Sequence, residues 1–207
     1  MKVAPRPRTH KEIQEFRRTA LMEATIASLA KHGVAHTTVR MICAAAGISH
    51  GLMAHYYESK DELMAAAFRH LFSEVTRKVQ RLQAKAGEGA YERLRSMPAA
   101  IFSASVCNAT NRSAFLAFWH DIRFSKPVRD VNRALYRDYT QRMQALFAGA
   151  AQDLGREIDT ESAAIGYIAL IDGLWLELSI DDQVVSRERA IELCCRFIDR
   201  ALEIPPQ

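Results

Sequence analysis

Residues 37–60 read TTVRMICAAAGISHGLMAHYYESK, and this stretch decides how the N-terminal part of the chain folds. Gly47 can end one short helix, because glycine enters the left-handed region at little cost, and Ser49 can cap the next. The small residues 44–46 let the two helices approach closely, and Ile48 can fill the corner between them. The stretch therefore predicts a helix-turn-helix, although a hairpin inside a helical bundle would also fit.

The second of these helices, expected to run for about two turns through Tyr56, presents a small, polar face. A DNA major groove admits such a helix, with its first residues against base edges and flanking residues on phosphates. The predicted DNA-contacting residues are Thr38, Arg40, Ser49, His50, Gly51, Ala54, His55, Tyr56 and Lys60. Tyr57 is expected beside Tyr56, and Leu52 is expected to pack back on the first helix.

Positive charge is concentrated in the same part of the chain. The 207 residues contain 28 Lys and Arg against 24 Asp and Glu. Residues 1–60 hold nine of the basic and four of the acidic residues, whereas residues 61–207 hold nineteen and twenty. This asymmetry favours a head that binds a polyanion on a nearly neutral body, with an ordinary basic N-terminus as the alternative.

The rest of the sequence reads as one helix after another, without the β-branched alternation of strands. Residues 1–9 are expected to form a flexible arm, and Ser59 with Glu62 predicts a capping box at the start of a long fourth helix. The predicted helices cover residues 11–32, 38–46, 50–56, 60–85, 90–105, 111–123, 126–152, 160–180 and 186–202. The fold class is therefore all-α.

The chain resembles the TetR family of bacterial regulators. The resemblance rests on Gly33, Ile42 and Gly51, and on residues 37–39, 45–49, 55–57 and 59–63. It implies a three-helix, helix-turn-helix DNA-binding head, residues 1–58, joined by a long helix to a six-helix ligand-binding and dimerisation domain, residues 59–207. Ala54 departs from the family pattern, in which many members carry an aromatic residue at this position.

Two further strings, FLAFW at residues 115–119 and ALIDGLWL at residues 169–176, look like the choline-responsive branch of that family, which represses betaine synthesis. A quaternary ammonium is attracted to aromatic faces by roughly 0.5–2 kcal/mol per contact, and a carboxylate can add to this attraction. The predicted ligand-binding residues are Phe115, Phe118, Trp119, Tyr139, Asp172 and Trp175. The alternatives are an ordinary aromatic core, or a repressor of efflux or lipid genes that senses a hydrophobic compound.

The last two predicted helices carry residues suited to self-association. Small residues allow close approach (Ala163, Ala164, Gly166, Ala169 and Gly173), and large ones supply apolar area (Leu170, Leu174, Ile191, Leu193, Phe197, Ile198 and Leu202). Two such helices per chain would form a four-helix bundle, so that two heads read both halves of a palindromic operator on double-stranded DNA. The alternative is that this stripe faces the core of its own chain.

Several function classes are disfavoured. No nucleophile–base string, phosphate-binding glycine loop or metal-ligand spacing occurs, so neither an enzyme nor a metal or other cofactor is expected. Cys43, Cys107, Cys194 and Cys195 fit buried thiols in a reducing cytosol. The most apolar stretch, residues 165–180, is interrupted by two acids, so a cytoplasmic protein without a membrane span is expected. A protein-interaction bundle that binds no DNA is the remaining alternative.

Overall fold

The structure is a computed structural model that describes residues 9–84, 87 and 89–204. Over these residues it contains nine α-helices and no strand, which confirms the all-α prediction. The helices are α1 His10–His36, α2 Val39–Ala46, α3 His50–Ala54, α4 Lys60–Gln83, α5 Ala90–Ile101, α6 Ala109–Asp121, α7 Lys126–Asp153, α8 Thr160–Ile180 and α9 Arg187–Ala201. The expected arm, apart from Thr9, lies outside the described residues.

Both ends of α1 have identifiable chemical causes. The Thr9 hydroxyl accepts a hydrogen bond from the Glu12 N–H at 3.2 Å, and the Thr9 N–H donates to the Glu12 carboxylate at 3.0 Å. This capping box was not predicted, although the Thr-x-x-Glu pattern is present in the sequence. Near the other end, Gly33 has φ 69° and ψ 177°, which breaks the helical path. The predicted end at residue 32 therefore falls one residue before this break.

The turn between α2 and α3 has the predicted chemistry, but α3 is shorter than predicted. Gly47 caps α2 in the left-handed region with φ 65°. The N–H of His55 donates to the Leu52 carbonyl at 3.2 Å, and the N–H of Tyr56 donates to the Met53 carbonyl at 2.8 Å. These bonds span three residues instead of four and tighten the chain, so the regular helix ends at Ala54 and the expected extension through Tyr56 was wrong.

The chain divides into two compact units, and the divisions fall within α4, α6 and α7. The first unit contains the described residues up to Leu71 together with Ser113–Val131. Its helix-turn-helix core is built from the inner faces of α1, α2, α3 and α4 and from residues of the connecting turns. The buried side chains of this core are Leu21, Ala24, Ile42, Cys43, Ile48, Met53, Tyr57 and Leu63.

The second unit contains Phe72–Arg112 and the described residues from Asn132 onward. The first turn of α5 has no side-chain cap of its own, because residue 89 is glycine. The carboxylate of Asp153, at the end of α7, accepts hydrogen bonds there from the N–H groups of Ala90 at 2.7 Å and Tyr91 at 3.2 Å. This side chain satisfies two of the amides that a helix N-terminus leaves open and ties α5 to α7.

Helix α8 is the most apolar element described. It is 21 residues long with a mean hydropathy of 1.5, which by length and composition alone is enough to cross a membrane. One side of α8 is nevertheless packed in the second unit, where Ala164 and Tyr167 are fully buried and Ile171 is nearly so. A core helix of a globular protein has the same character.

Candidate DNA-binding and effector sites

Most of the predicted DNA-contacting residues are exposed on or beside α2 and α3. Ser49, His50, Gly51, Ala54 and His55 are all exposed, as are Thr38 and Arg40 on the preceding helix. The opposite side of α3 carries Met53, which is only 4% exposed and anchors the helix in the core. Met53 was not identified from the sequence, where Leu52 was expected to be the anchor. Leu52 is half-buried at the edge of the same cluster.

Two hydroxyl groups at this surface have a double capacity. The Thr38 oxygen accepts from the N–H of Met41 at 3.3 Å, and the Ser49 oxygen accepts from the N–H of Leu52 at 3.2 Å. Each hydroxyl thus caps its helix through a lone pair and keeps its proton available for donation. An exposed hydroxyl that can still donate is suited to a phosphate oxygen.

Gly51 and Tyr57 differ in what the fold requires of them. A Cβ added at Gly51 would meet nothing within 4 Å, so packing inside the protein gives no reason for a glycine there. The open space leaves room for another molecule to approach the backbone of α3. Tyr57, by contrast, is 7% exposed and belongs to the core of the head. The expectation that Tyr57 lies beside Tyr56 on the phosphate side was therefore wrong.

Lys60 and Tyr56 lie half-buried at the end of this surface, and both have neighbours in the first unit. The Arg18 guanidinium lies 5.9 Å from the centre of the Tyr56 ring. Burial raises the pKa of the Asp121 carboxyl, as does the neighbouring charge of Asp61, whereas the Lys60 ammonium lowers it. Lys60 is therefore close enough to Asp121 for that carboxylate to offset part of its charge.

The three predicted ligand residues of α6 all lie in the first unit. The Phe118 ring is fully buried against Phe68, with ring centroids 4.9 Å apart. Phe115 is 7% exposed and meets Phe68 edge-on at 6.2 Å. Trp119 is half-buried, with its ring 6.1 Å from that of Phe115. The packing of Phe115 and Phe118 around Phe68 is that of a core cluster, and Trp119 is the most accessible of the three.

The other three predicted ligand residues lie in the second unit. Asp172 is half-buried on α8 and accepts a hydrogen bond from the Tyr136 hydroxyl at 2.9 Å. Burial raises the pKa of the Asp172 carboxyl to about 6, although the bond from Tyr136 acts in the opposite direction. Burial and the nearby Asp172 charge also raise the pKa of Tyr139. Trp175 is 5% exposed against Phe102, with ring centroids 6.4 Å apart.

Sequence reasoning missed two residues of this second group. Phe72 on α4 and Tyr136 on α7 surround Tyr139, and all three side chains are half-buried. Tyr136 and Tyr139 are three residues apart on α7, so helical spacing could have paired them. No sequence signal brings Phe72 to them, because that contact depends on how α4 packs against α7.

Some of the apolar residues of α8 and α9 are buried within the chain, and others are accessible at its surface. Ala163, Ala164, Leu174, Ile198 and Leu202 are buried within their own chain, and a Cβ at Gly166 would lie 2.8 Å from the Phe197 ring. For these residues, the alternative that the stripe faces its own core was the correct one. A different side of α8 remains accessible, and we call it the α8 face: Ile165, Ala169, Gly173 and Ile180 are exposed along it, and Leu176 is half-buried.

Among the described residues, no group of three or more His, Cys, Asp or Glu side chains is placed to hold a metal ion. The four cysteines are free thiols, and only Cys195 is more than slightly accessible.

Comparison with known proteins now identifies the class of this molecule. Residues 21–67 match the family model described as bacterial regulatory proteins, tetR family, and residues 90–203 match the one described as BetI-type transcriptional repressor, C-terminal. The chain belongs to the TetR family of transcriptional regulators. Within that family its C-terminal part is of the BetI type, and the molecule is a transcriptional repressor rather than an enzyme. Regulators of this family bind DNA and small-molecule effectors and act as dimers.

Individual relatives agree with this assignment. The chain is 32% identical over 190 residues to the HTH-type transcriptional regulator BetI of Burkholderia mallei, covering 92% of this chain and 95% of the relative. A transcriptional regulator from Pseudomonas aeruginosa PAO1 has a crystal structure with a TM-score of 0.82 and 33% identity over 92% of both chains. A regulator from Saccharomonospora viridis, crystallised in complex with choline, has the same fold with a TM-score of 0.69, 21% identity and coverage of 92% and 97%.

Proposed function

We propose that this chain is a homodimeric repressor, working in the cytoplasm, that leaves a palindromic operator when choline or a related quaternary ammonium compound binds its C-terminal part. The genes it controls would be those of glycine betaine synthesis. The observation that carries the proposal is the exposed, small and polar face of α3 in a chain whose residues 90–203 match the BetI-type repressors. The complex of the Saccharomonospora viridis regulator with choline supports the choice of ligand through a shared fold alone.

The DNA-contacting residues of the proposal are those of the α2 and α3 surface. His50, Gly51, Ala54 and His55 would face base edges, since they are exposed on the side of α3 opposite Met53. The remaining residues, Thr38, Arg40, Ser49, Tyr56 and Lys60, would contact the phosphates on either side. Such contacts fix the register of the protein on the duplex, whereas the base contacts supply sequence specificity.

The second copy of the chain would pack on the α8 face. Ile165 is 52% exposed and Ile180 is 67% exposed, although both are large apolar side chains. The exposed Ala169 and Gly173 lie between them on the same side of the helix, and small residues there let a partner helix approach closely. A two-fold axis through this face would pair α8 with its copy and present two α3 helices to one operator.

An effector can release the operator only through a difference in affinity. Choline must bind the conformation that is poorly matched to the operator more tightly than the matched one, and DNA must then weaken choline binding by the same factor. We therefore expect the operator to lower the choline affinity of the dimer.

Selection of bound fragments from random DNA by the purified protein, with and without choline, tests the proposal. A palindromic consensus that is lost with choline but kept with its neutral tert-butyl isostere is the expected result. If only lipophilic compounds abolish DNA binding, the choline assignment is wrong and the chain is instead a repressor of efflux or lipid genes. Enrichment of no sequence, together with retention that does not depend on salt, would overturn DNA binding itself.

A further inference from the structure

We propose that Phe72, Tyr136, Tyr139 and Asp172 form the cage that holds the quaternary ammonium group of the effector. The inference rests on the proposed function for the class of ligand, and it assigns the binding to a place that the aromatic strings of α6 do not include. All four residues belong to the second unit, on α4, α7 and α8.

The three aromatic rings of this cage lie together in one cluster. The Phe72 centroid lies 6.1 Å from that of Tyr136 and 6.0 Å from that of Tyr139, and the two tyrosine centroids are 6.4 Å apart. The ring planes meet at 53°, 75° and 77°, so no two rings stack face to face. A cation is attracted to a ring when it lies within about 6 Å of the centroid, and one cation can satisfy that distance for all three rings.

Asp172 supplies the negative charge for such a cation. Its carboxylate accepts from the Tyr136 hydroxyl at 2.9 Å, and no basic side chain among the described residues forms an ion pair with it. A carboxylate that is withdrawn from water without a cationic partner is costly, and a bound cation removes that cost. The hydrogen bond from Tyr136 also fixes one carboxylate oxygen in a defined direction.

The accessibility of the four residues distinguishes them from the packed aromatic core. Phe68, Phe118 and Phe147 are each fully buried, whereas Phe72, Tyr136, Tyr139 and Asp172 all keep part of their surface in solvent. A ligand can reach a side chain only where part of its surface is accessible. The cage residues therefore combine the right chemistry with accessible surface.

The charge of the cage depends on pH through Asp172, whose pKa is raised to about 6 by burial. The titratable groups that face it are Tyr136, whose hydroxyl donates to it, and Tyr139, both on α7. The Phe72 ring of α4 lies against the ring of Tyr136. The pKa of Tyr139 is in turn raised by Cys194 of α9 and lowered by Arg142 of α7. Cation affinity should be full above pH 7 and fall as the pH drops through about 6, because protonation removes the counter-charge.

Calorimetric titration with choline and its neutral tert-butyl isostere, on the full-length protein, tests the cage. Asp172→Asn should weaken choline binding by at least about tenfold and leave binding of the isostere within about twofold. Glu177→Gln, which removes an exposed carboxylate from the same helix, is the matched control and should change neither. The Tyr136→Phe protein should lose choline affinity at a higher pH than the wild type, because the hydrogen bond that lowers the Asp172 pKa is gone.

The outcomes separate the cage from the proposed function. If the wild-type protein binds choline and Asp172→Asn binds it equally well, the cage is wrong while the choline-responsive repressor stands. If the wild type binds no quaternary ammonium compound, both the effector assignment and the cage are wrong. If Asp172→Asn weakens choline and the isostere equally, the residue acts on packing and the cage is also wrong.

Discussion

A half-buried carboxylate without a basic partner changes the stability of a fold with pH. The folded pKa of Asp172 is raised to about 6, whereas an unfolded aspartate titrates near 3.9. The folded state therefore holds this proton more tightly than the unfolded chain does. The resulting stabilisation is fully present below pH 4 and is lost as the pH rises through 6, so ionised Asp172 reduces stability at neutral pH.

We therefore predict that Asp172→Asn stabilises the protein without ligand at pH 8. The amide oxygen can still accept the Tyr136 hydrogen bond, and the buried charge is gone. The expected gain is about 1–2 kcal/mol at pH 8, discounted for the partial exposure of the group, and it should shrink at pH 4.5. Urea unfolding at both pH values measures the difference, with Glu177→Gln as the control. A gain that is the same at both pH values would contradict the role of charge.

Tyr167 is the opposite case, a hydroxyl that is buried without a partner. The residue has no exposed surface, its ring lies 5.8 Å from Phe147 and 6.1 Å from Phe197, and its oxygen has no hydrogen-bond partner among the described residues. Burying such a group costs about 1–3 kcal/mol. Tyr167→Phe should therefore leave the free energy of unfolding unchanged or raise it by up to about 1 kcal/mol, as measured by urea titration. A loss of more than about 1 kcal/mol would mean that the hydroxyl makes a stabilising bond.

At the scale of the elements, capping residues in the sequence predicted the ends of some helices correctly. They were less reliable where one side chain can accept hydrogen bonds from more than one N–H group. Helix α8 begins at Thr160 and ends at Ile180, as predicted, because Asp159 caps its start through the N–H of Ser162. The predicted capping box of α4 forms only in part. The Ser59 hydroxyl accepts a hydrogen bond from the N–H of Glu62 at 3.1 Å. The Glu62 carboxylate, however, accepts from the N–H of Glu58 rather than from the N–H of Ser59.

The aromatic contacts show the limit of reading a single sequence. Helical spacing is enough to pair residues on one helix, such as Phe115 and Trp119, whose rings are 6.1 Å apart. Spacing could not reveal that Phe115 and Phe118 would be covered by Phe68, or that Phe72 would reach Tyr136, because those contacts depend on how helices distant in sequence pack. The exposure of the residues on α2 and α3 was easier to predict, since the two helices and the turn between them are adjacent in the chain.

The α3 element gives a direct prediction about DNA binding. His55→Ala should weaken operator binding by at least about tenfold and leave binding to random DNA nearly unchanged, because a base contact contributes about 1–3 kcal/mol.

Lys60→Ala, at the start of α4, should weaken binding to every DNA sequence and reduce the slope of log affinity against log salt concentration by about one. Fluorescence anisotropy with both kinds of duplex measures these effects. His36→Ala removes another exposed histidine and serves as control. Unchanged operator affinity for His55→Ala would refute the proposed orientation of α3.

The proposed dimer depends on the α8 face. Ile165→Glu places a charge on this exposed apolar surface, so we expect it to leave the fold of the chain intact and to separate the dimer. Operator affinity should then fall by at least about a hundredfold, because each protomer reads only half of the site. Val184→Glu is a matched control, since Val184 is 66% exposed in the segment between α8 and α9. Light scattering measures the mass, and a dimer that persists in Ile165→Glu places the interface elsewhere.

The membership of Leu63 in the head core has a practical consequence for hybrid biosensors, in which the reading head of one regulator is fused to the sensing part of another. Leu63 has no exposed surface and packs with Leu21, Ile42 and Met53, yet it lies beyond residue 58. A fusion joint placed between residues 58 and 59 would replace this leucine with whatever the donor carries at that position. Fusions that retain residues up to Leu71 keep the hydrophobic core of the head intact and should give more stable chimeras.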